Sequence, residues 1–144
     1  MDTELMAAEL LRFMETLPRR APQNWLSDLG RGELFLLSYL HTNGGNAWPS
    51  TMRDALQTST ARIAAALNSL ERKGWVKREL DASDRRRTLV FLTADGAKYI
   101  EEHRNRALKN ITKLLLELGQ EDAAEYLRIT QRMEAISRNF EFEL

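Results

Sequence analysis

The chain contains no cysteine. Disulfides, thiolate metal sites and thiol-based redox sensing are excluded in one step. It has two histidines, His41 and His103, and neither has an Asp, Glu or His partner at ligand or triad spacing. There is no phosphate loop, nucleophile elbow or HExxH. An enzyme is therefore not expected, and no cofactor or metal is implied. A metal-responsive site built from His41, His103 and a carboxylate is a minor alternative. No apolar run approaches the roughly 20 residues that span a bilayer, so no membrane partner is expected. Met1-Asp-Thr-Glu-Leu5 lacks a basic n-region and a cleavage site, which points to a cytoplasmic protein.

Net charge is missing too, with 21 Lys and Arg against 21 Asp and Glu in 144 residues. Its distribution is informative. Residues 1–48 carry 4 cationic and 6 anionic side chains, and residues 121–144 carry 3 and 6. Residues 49–87 carry 9 and 5, a local excess of +4. A basic patch, rather than a basic total, is the footprint that phosphate binding needs. The competing reading is an unevenly charged solvated surface. A hydrophobic content of 43% is enough for a core, and the length fits one compact subunit.

The basic stretch holds two helix-period segments followed by two strand-period segments around an Arg-rich loop. Ser50 to Leu56 reads as a helix that Ser50 can cap, Gln57-Thr-Ser-Thr60 as a turn, and Thr60 to Lys73 as a second helix that Gly74 ends. Trp75 to Leu80 and Thr88 to Leu92 read as strands flanking the loop Asp81 to Arg87. This is the order of a winged helix-turn-helix, which places one helix in a DNA groove. In that helix Ile63, Leu67 and Leu70 form the buried stripe. The opposite face presents Thr60, Arg62, Ala65, Ala66, Ser69 and Arg72. Small residues around few cations can approach base edges, although an Ala-rich helix also follows from propensity alone. Ser59 or Thr60 is placed to cap it. Arg85, Arg86 and Arg87 at the hairpin tip suit a narrow minor groove. The plain alternative is a charged hairpin that stays soluble and unpaired.

Helices flank this module. Thr3 to Leu17 is amphipathic and is expected to stop at Pro18. Ser27-Asp-Leu-Gly30 resembles a cap before a largely apolar helix from Arg31 to Thr42. Ala47-Trp48 fits a short strand. Thr93 caps a long helix to Leu118, with Ile100, Ala107, Leu108, Ile111, Leu114, Leu115 and Leu118 as its stripe. Glu121 to Phe140 forms the last helix, with Ala124, Leu127, Met133, Ile136 and Phe140 inward. The fold class is mainly α with a small β-wing: residues 1–30 for dimerisation, 31–93 for the winged module, 94–144 for dimerisation helices. The long helix outruns the module that could cover its stripe, so a second copy is expected to complete it.

Three motifs stand in order: Leu70-Glu-Arg-Lys-Gly74-Trp-Val-Lys-Arg78, then Asp84-Arg-Arg86, then Leu92-Thr-Ala-Asp-Gly96. Together they resemble the MarR family of bacterial regulators, and the helix layout extends the resemblance over nearly the whole chain. The resemblance implies a homodimer with entwined terminal helices that reads pseudo-palindromic double-stranded DNA and blocks transcription by occupying a promoter. It places the recognition helix at about Thr60 to Lys73 and the wing-tip arginine at Arg86, with Asp84 bracing the wing by pairing with an arginine. The chain departs from several relatives in having Ala65 where they carry a basic residue, which moves base reading toward Arg62 and Ser69. Ser59, Thr60 and Ser69 suit phosphate or water-bridged contacts. The resemblance also implies release by a small aromatic effector, near Phe13, Trp25, Phe35 and Tyr39, although plain core aromatics explain these residues as well. A winged-helix adaptor that binds protein rather than DNA is the remaining alternative.

Overall fold

The computed structural model describes residues 2–20 and 32–141, with side chains from 2–12 and 32–141. The elements are α1 (Thr3–Arg20), α2 (Gly32–Thr42), β1 (Asn46–Ala47), α3 (Pro49–Leu56), α4 (Thr60–Arg72), β2 (Val76–Leu80), β3 (Thr88–Leu92), α5 (Ala94–Leu118) and α6 (Gln120–Ser137). The fold is mainly α with a small β-wing. Trp25 and the expected cap at Ser27 lie outside the described residues. One boundary differs from the sequence reading: α1 continues through Pro18 to Arg20. Proline's fixed φ is itself helical, so near a helix end it costs a hydrogen bond without forcing the chain out.

The chain forms two compact units, Met1–Arg104 and Asn105–Leu144. The core of the first is apolar throughout. Leu36, Leu37 and Leu40 of α2 meet Met52 of α3, Ile63, Leu67 and Leu70 of α4, Val76 and Val90 of the sheet and Ile100 of α5. The 3.6-residue period of α4 delivers its three buried residues to one side. The sheet has the order β1-β3-β2 and both pairings are antiparallel. Val76 pairs with Leu92 and Leu80 with Thr88, which sets the hairpin register. Asn46 and Ala47 pair with Phe91 and Val90 and close the other edge of β3.

Local signals position these elements. Ser59 is extended, and its hydroxyl accepts the Arg62 N–H at 3.2 Å to cap α4. At the other end Gly74 takes φ +75°. Its N–H reaches the Glu71 carbonyl and the Trp75 N–H reaches the Leu70 carbonyl, each at 3.0 Å. This double bond pattern past a left-handed residue satisfies the orphan carbonyls and turns the chain into β2. Thr93 then ties the strands to α5. Its hydroxyl accepts the Gly96 N–H at 3.0 Å and donates to the Gly74 carbonyl at 2.6 Å. Gly96 is buried, and a Cβ there would lie 2.0 Å from the Trp75 carbonyl oxygen. Only glycine allows the first turn of α5 this close to β2.

The second unit contains the end of α5 and all of α6. No residue of α6 is buried. Ala124, Leu127, Met133, Ile136 and Phe140, expected to face inward, are all exposed in the single chain. In the α5 stripe Ile100 and Ala107 are buried, but Leu108, Leu114 and Leu118 are exposed. The periodicity is present, yet among the described residues much of it lies uncovered.

Candidate nucleic-acid interface

The outward stripe of α4 is Ala61, Ala65, Asn68 and Arg72, spaced at helical intervals opposite the buried stripe and exposed throughout. Thr60, Arg62 and Ala64 are exposed beside it. Two residues expected on this face turn away from it. Ala66 packs on the core. Ser69 is half-buried, and its hydroxyl bonds the Glu33 carboxylate of α2. The reason is lateral packing: α2 covers α4 from the side, so the buried sector is wider than Ile63, Leu67 and Leu70 alone define.

Glu33 anchors that flank. Partial burial pushes its carboxyl up, but hydrogen bonds from the Lys73 ammonium and the Ser69 hydroxyl, with the charges of Lys73 and Arg72, hold it below the ordinary carboxylate range. Lys73 Nζ lies 2.5 Å from Glu33 Oε2. The ion pair fixes the end of α4 to α2. Arg72 keeps its exposed position while feeling the same carboxylate. At the helix start Thr60 Oγ1 accepts from Arg53 Nη1 at 3.3 Å. Ser59 uses its oxygen as the cap and keeps its hydroxyl proton as a donor.

Sequence reasoning missed two residues here. Arg78 of β2 donates through Nη2 to Asn68 Oδ1 at 2.5 Å and through Nε to Glu71 Oε2 at 2.9 Å. This clasp lays the wing strand alongside the outward stripe. Ala65, Asn68, Glu71, Arg72 and Arg78 line a shallow groove of about 460 Å³. Asn68 is visible in the sequence one turn after Ala65, but its role depends on Arg78, which no helical period brings to it.

The wing tip is folded around Asp81 and Trp48. Asp81 Oδ1 accepts the N–H and the hydroxyl of Ser83, at 2.9 and 2.7 Å. Its Oδ2 accepts the Trp48 indole N–H at 3.2 Å. The Ser83 bonds lead in holding the Asp81 carboxyl below its ordinary value, with the indole and Arg87 assisting. The Arg87 guanidinium lies 3.9 Å from the centre of the Trp48 ring. Asp84 braces the loop differently from the expected arginine pair. It makes no ion pair with an arginine among the described residues, and its Oδ1 instead accepts the Arg86 backbone N–H at 3.0 Å. Arg87 is thus held back, while Arg85 and Arg86 stand exposed at the tip. Neither has an ion pair or side-chain hydrogen bond among the described residues.

The weaker expectations divide. Phe35 and Tyr39 are half-buried against the core, with ring centres 6.2 Å apart. The Phe13 side chain and Trp25 lie outside the described residues. His41 is exposed at the end of α2, and His103 neighbours Tyr99 with its Nδ1 unpartnered. Among the described residues no three His, Cys, Asp or Glu side chains gather where a metal could bind. Among them, too, no helix is long and apolar enough to cross a membrane.

Residues 33–112 match the model of the winged helix DNA-binding domain. The chain is 33% identical over 78 residues to the transcriptional regulator HosA of Escherichia coli, covering 54% of this chain and 57% of that protein. The chain thus spans little more than half the length of that relative. Its fold is similar to a MarR-like transcriptional regulator of Thermotoga maritima, at TM-score 0.60 and 25% identity over 98% of this chain and 99% of that one. It is also similar to Streptococcus pneumoniae FabT solved in complex with DNA, at TM-score 0.69 and 18% identity over 96% and 94%.

Proposed function

Since the chain belongs to the winged helix DNA-binding domain family and is of MarR type, we propose that it is a transcriptional regulator binding pseudo-palindromic double-stranded DNA as a homodimer. The observation that carries the reading is the outward stripe of α4. Small residues there bring the backbone close to base edges, and Arg62 and Arg72 flank them. The wing beside it ends in two arginines, Arg85 and Arg86, that are unpaired among the described residues. In the major groove Arg62 bonds guanine O6 and N7, with discrimination of about 1–3 kcal/mol for a bidentate pair. Arg85 and Arg86 engage the neighbouring minor groove and its phosphates. A two-fold dimer presents its two helices to half-sites about 34–36 Å apart.

What supports the dimer is apolar surface that the single chain leaves open on α1, α5 and α6. Leu5, Met6, Leu10 and Leu11 are exposed on α1, as are Tyr126, Ile129, Met133 and Ile136 on α6. The α6 residues alternate spacings of three and four, the pattern of a helix seam. Repression follows from occupancy, since a dimer across a promoter excludes polymerase without chemistry. Release by a small aromatic molecule completes the reading and rests on the family resemblance alone. Such a ligand would act by preferring a dimer spacing unsuited to DNA.

A gel-shift titration against duplex from the region upstream of the protein's own gene, at several salt concentrations, tests the proposal. The expected result is a shifted complex that outlasts competition by random duplex and weakens steeply with salt. Binding no stronger than to random duplex, with wing-arginine substitutions silent, would leave the adaptor reading in its place.

A further inference from the structure

Asn68 stands in the middle of the outward stripe, one turn from Ala65 and one from Arg72. The alanines leave it as the polar group that rises there. Its amide is not free to turn. Arg78 Nη2 donates to Oδ1 at 2.5 Å, and the same guanidinium is held by Glu71 through Nε at 2.9 Å. A guanidinium has donors only, so the amide atom facing it has to be the oxygen. Glu71 secures the arrangement: the hydrogen bond from Arg78 holds its carboxyl below the ordinary range despite some desolvation, so it stays charged at neutral pH.

An unrestrained asparagine reads adenine with both halves of its amide, accepting from N6 and donating to N7. Arg78 occupies one of the two lone pairs of Asn68 Oδ1, and its positive guanidinium beside that oxygen disfavours a second donor there. What it offers outward is the NH₂. Guanine presents two acceptors in the major groove, O6 and N7; adenine sets a donor beside its N7, and cytosine presents a donor. We propose that the Glu71–Arg78–Asn68 clasp makes Asn68 a donor-only reader, and so a specificity-determining residue that selects guanine over adenine at one position of each half-site. The inference rests on the reading of α4 as the groove helix.

Selection of bound fragments from a pool of randomised duplexes, with the full chain, tests it. The wild-type motif is expected to carry guanine at one position per half-site. Asn68→Ala and Asn68→Asp should flatten that position alone, reducing guanine preference about tenfold; the aspartate keeps an acceptor for Arg78 and has no donor. Arg78→Met should move the preference there to adenine. If Arg78→Met fails to fold by circular dichroism, Asn68→Asp decides by itself. A motif that ignores both Asn68 variants, or adenine at the sensitive position in the wild type, overturns the inference and leaves DNA reading standing. No enriched motif for the wild type overturns both.

Discussion

Gly96 has no room for a side chain, since a Cβ would lie 2.0 Å from a backbone oxygen and 2.9 Å from Leu92 Cδ1. Gly96→Ala is expected to destabilise the fold by about 1–3 kcal/mol, toward the upper end because backbone has to move. A fall in the urea midpoint at fixed protein concentration is the measurement. At the wing tip Arg86→Ala should weaken DNA binding and lower the slope of log affinity against log salt by about 1 for each phosphate left without its cation. Equal slopes for variant and wild type would remove the wing from the interface. Glu33 titrates below its ordinary value because Lys73 and Ser69 outweigh its partial burial. A depressed carboxyl adds stability above its unfolded pKa and loses it as pH falls through the folded one. Glu33→Gln should therefore lower stability at neutral pH and flatten its decline on the acid side, as thermal melts over a pH series would record.

The wing and α4 show how far local signals reach. Ser59 as a cap, Gly74 as a stop and Thr93 with Gly96 opening α5 are legible because each acts within a few residues. The strand register follows from hydrophobic pattern and loop length. Arg78 against Asn68 and Arg87 over Trp48 are not legible, since each joins positions that only the tertiary fold brings together. The family resemblance implies an ion pair for Asp84, whereas the loop's own tight turn supplies a backbone N–H first. Helical periodicity points Ala66 and Ser69 outward because a period counts angles and not the neighbour that packs from the side. The hairpin brace is testable at this scale. Trp48→Leu removes both the indole N–H to Asp81 and the surface under Arg87. Amides of residues 81–87 should then exchange faster while those of α4 keep their protection.

At the scale of the molecule, apolar side chains without cover dominate the second unit. Leu108 is 62% exposed and Met133 59%. If a second copy covers them, Met133→Lys should shift sedimentation toward the single chain and weaken binding to a two-half-site duplex far more than to one half-site. Unchanged sedimentation would remove α6 from the interface. The join at Gly96 has a mechanical consequence. α5 enters the winged module with no loop between them, and the Trp75 backbone is clamped to its first turn. A rotation of the first turn of α5 therefore passes straight into the strands of the wing, with no linker to absorb it. A joint made this way hands a rotation on as a rotation, so the strands and the helix start turn together and keep their mutual geometry.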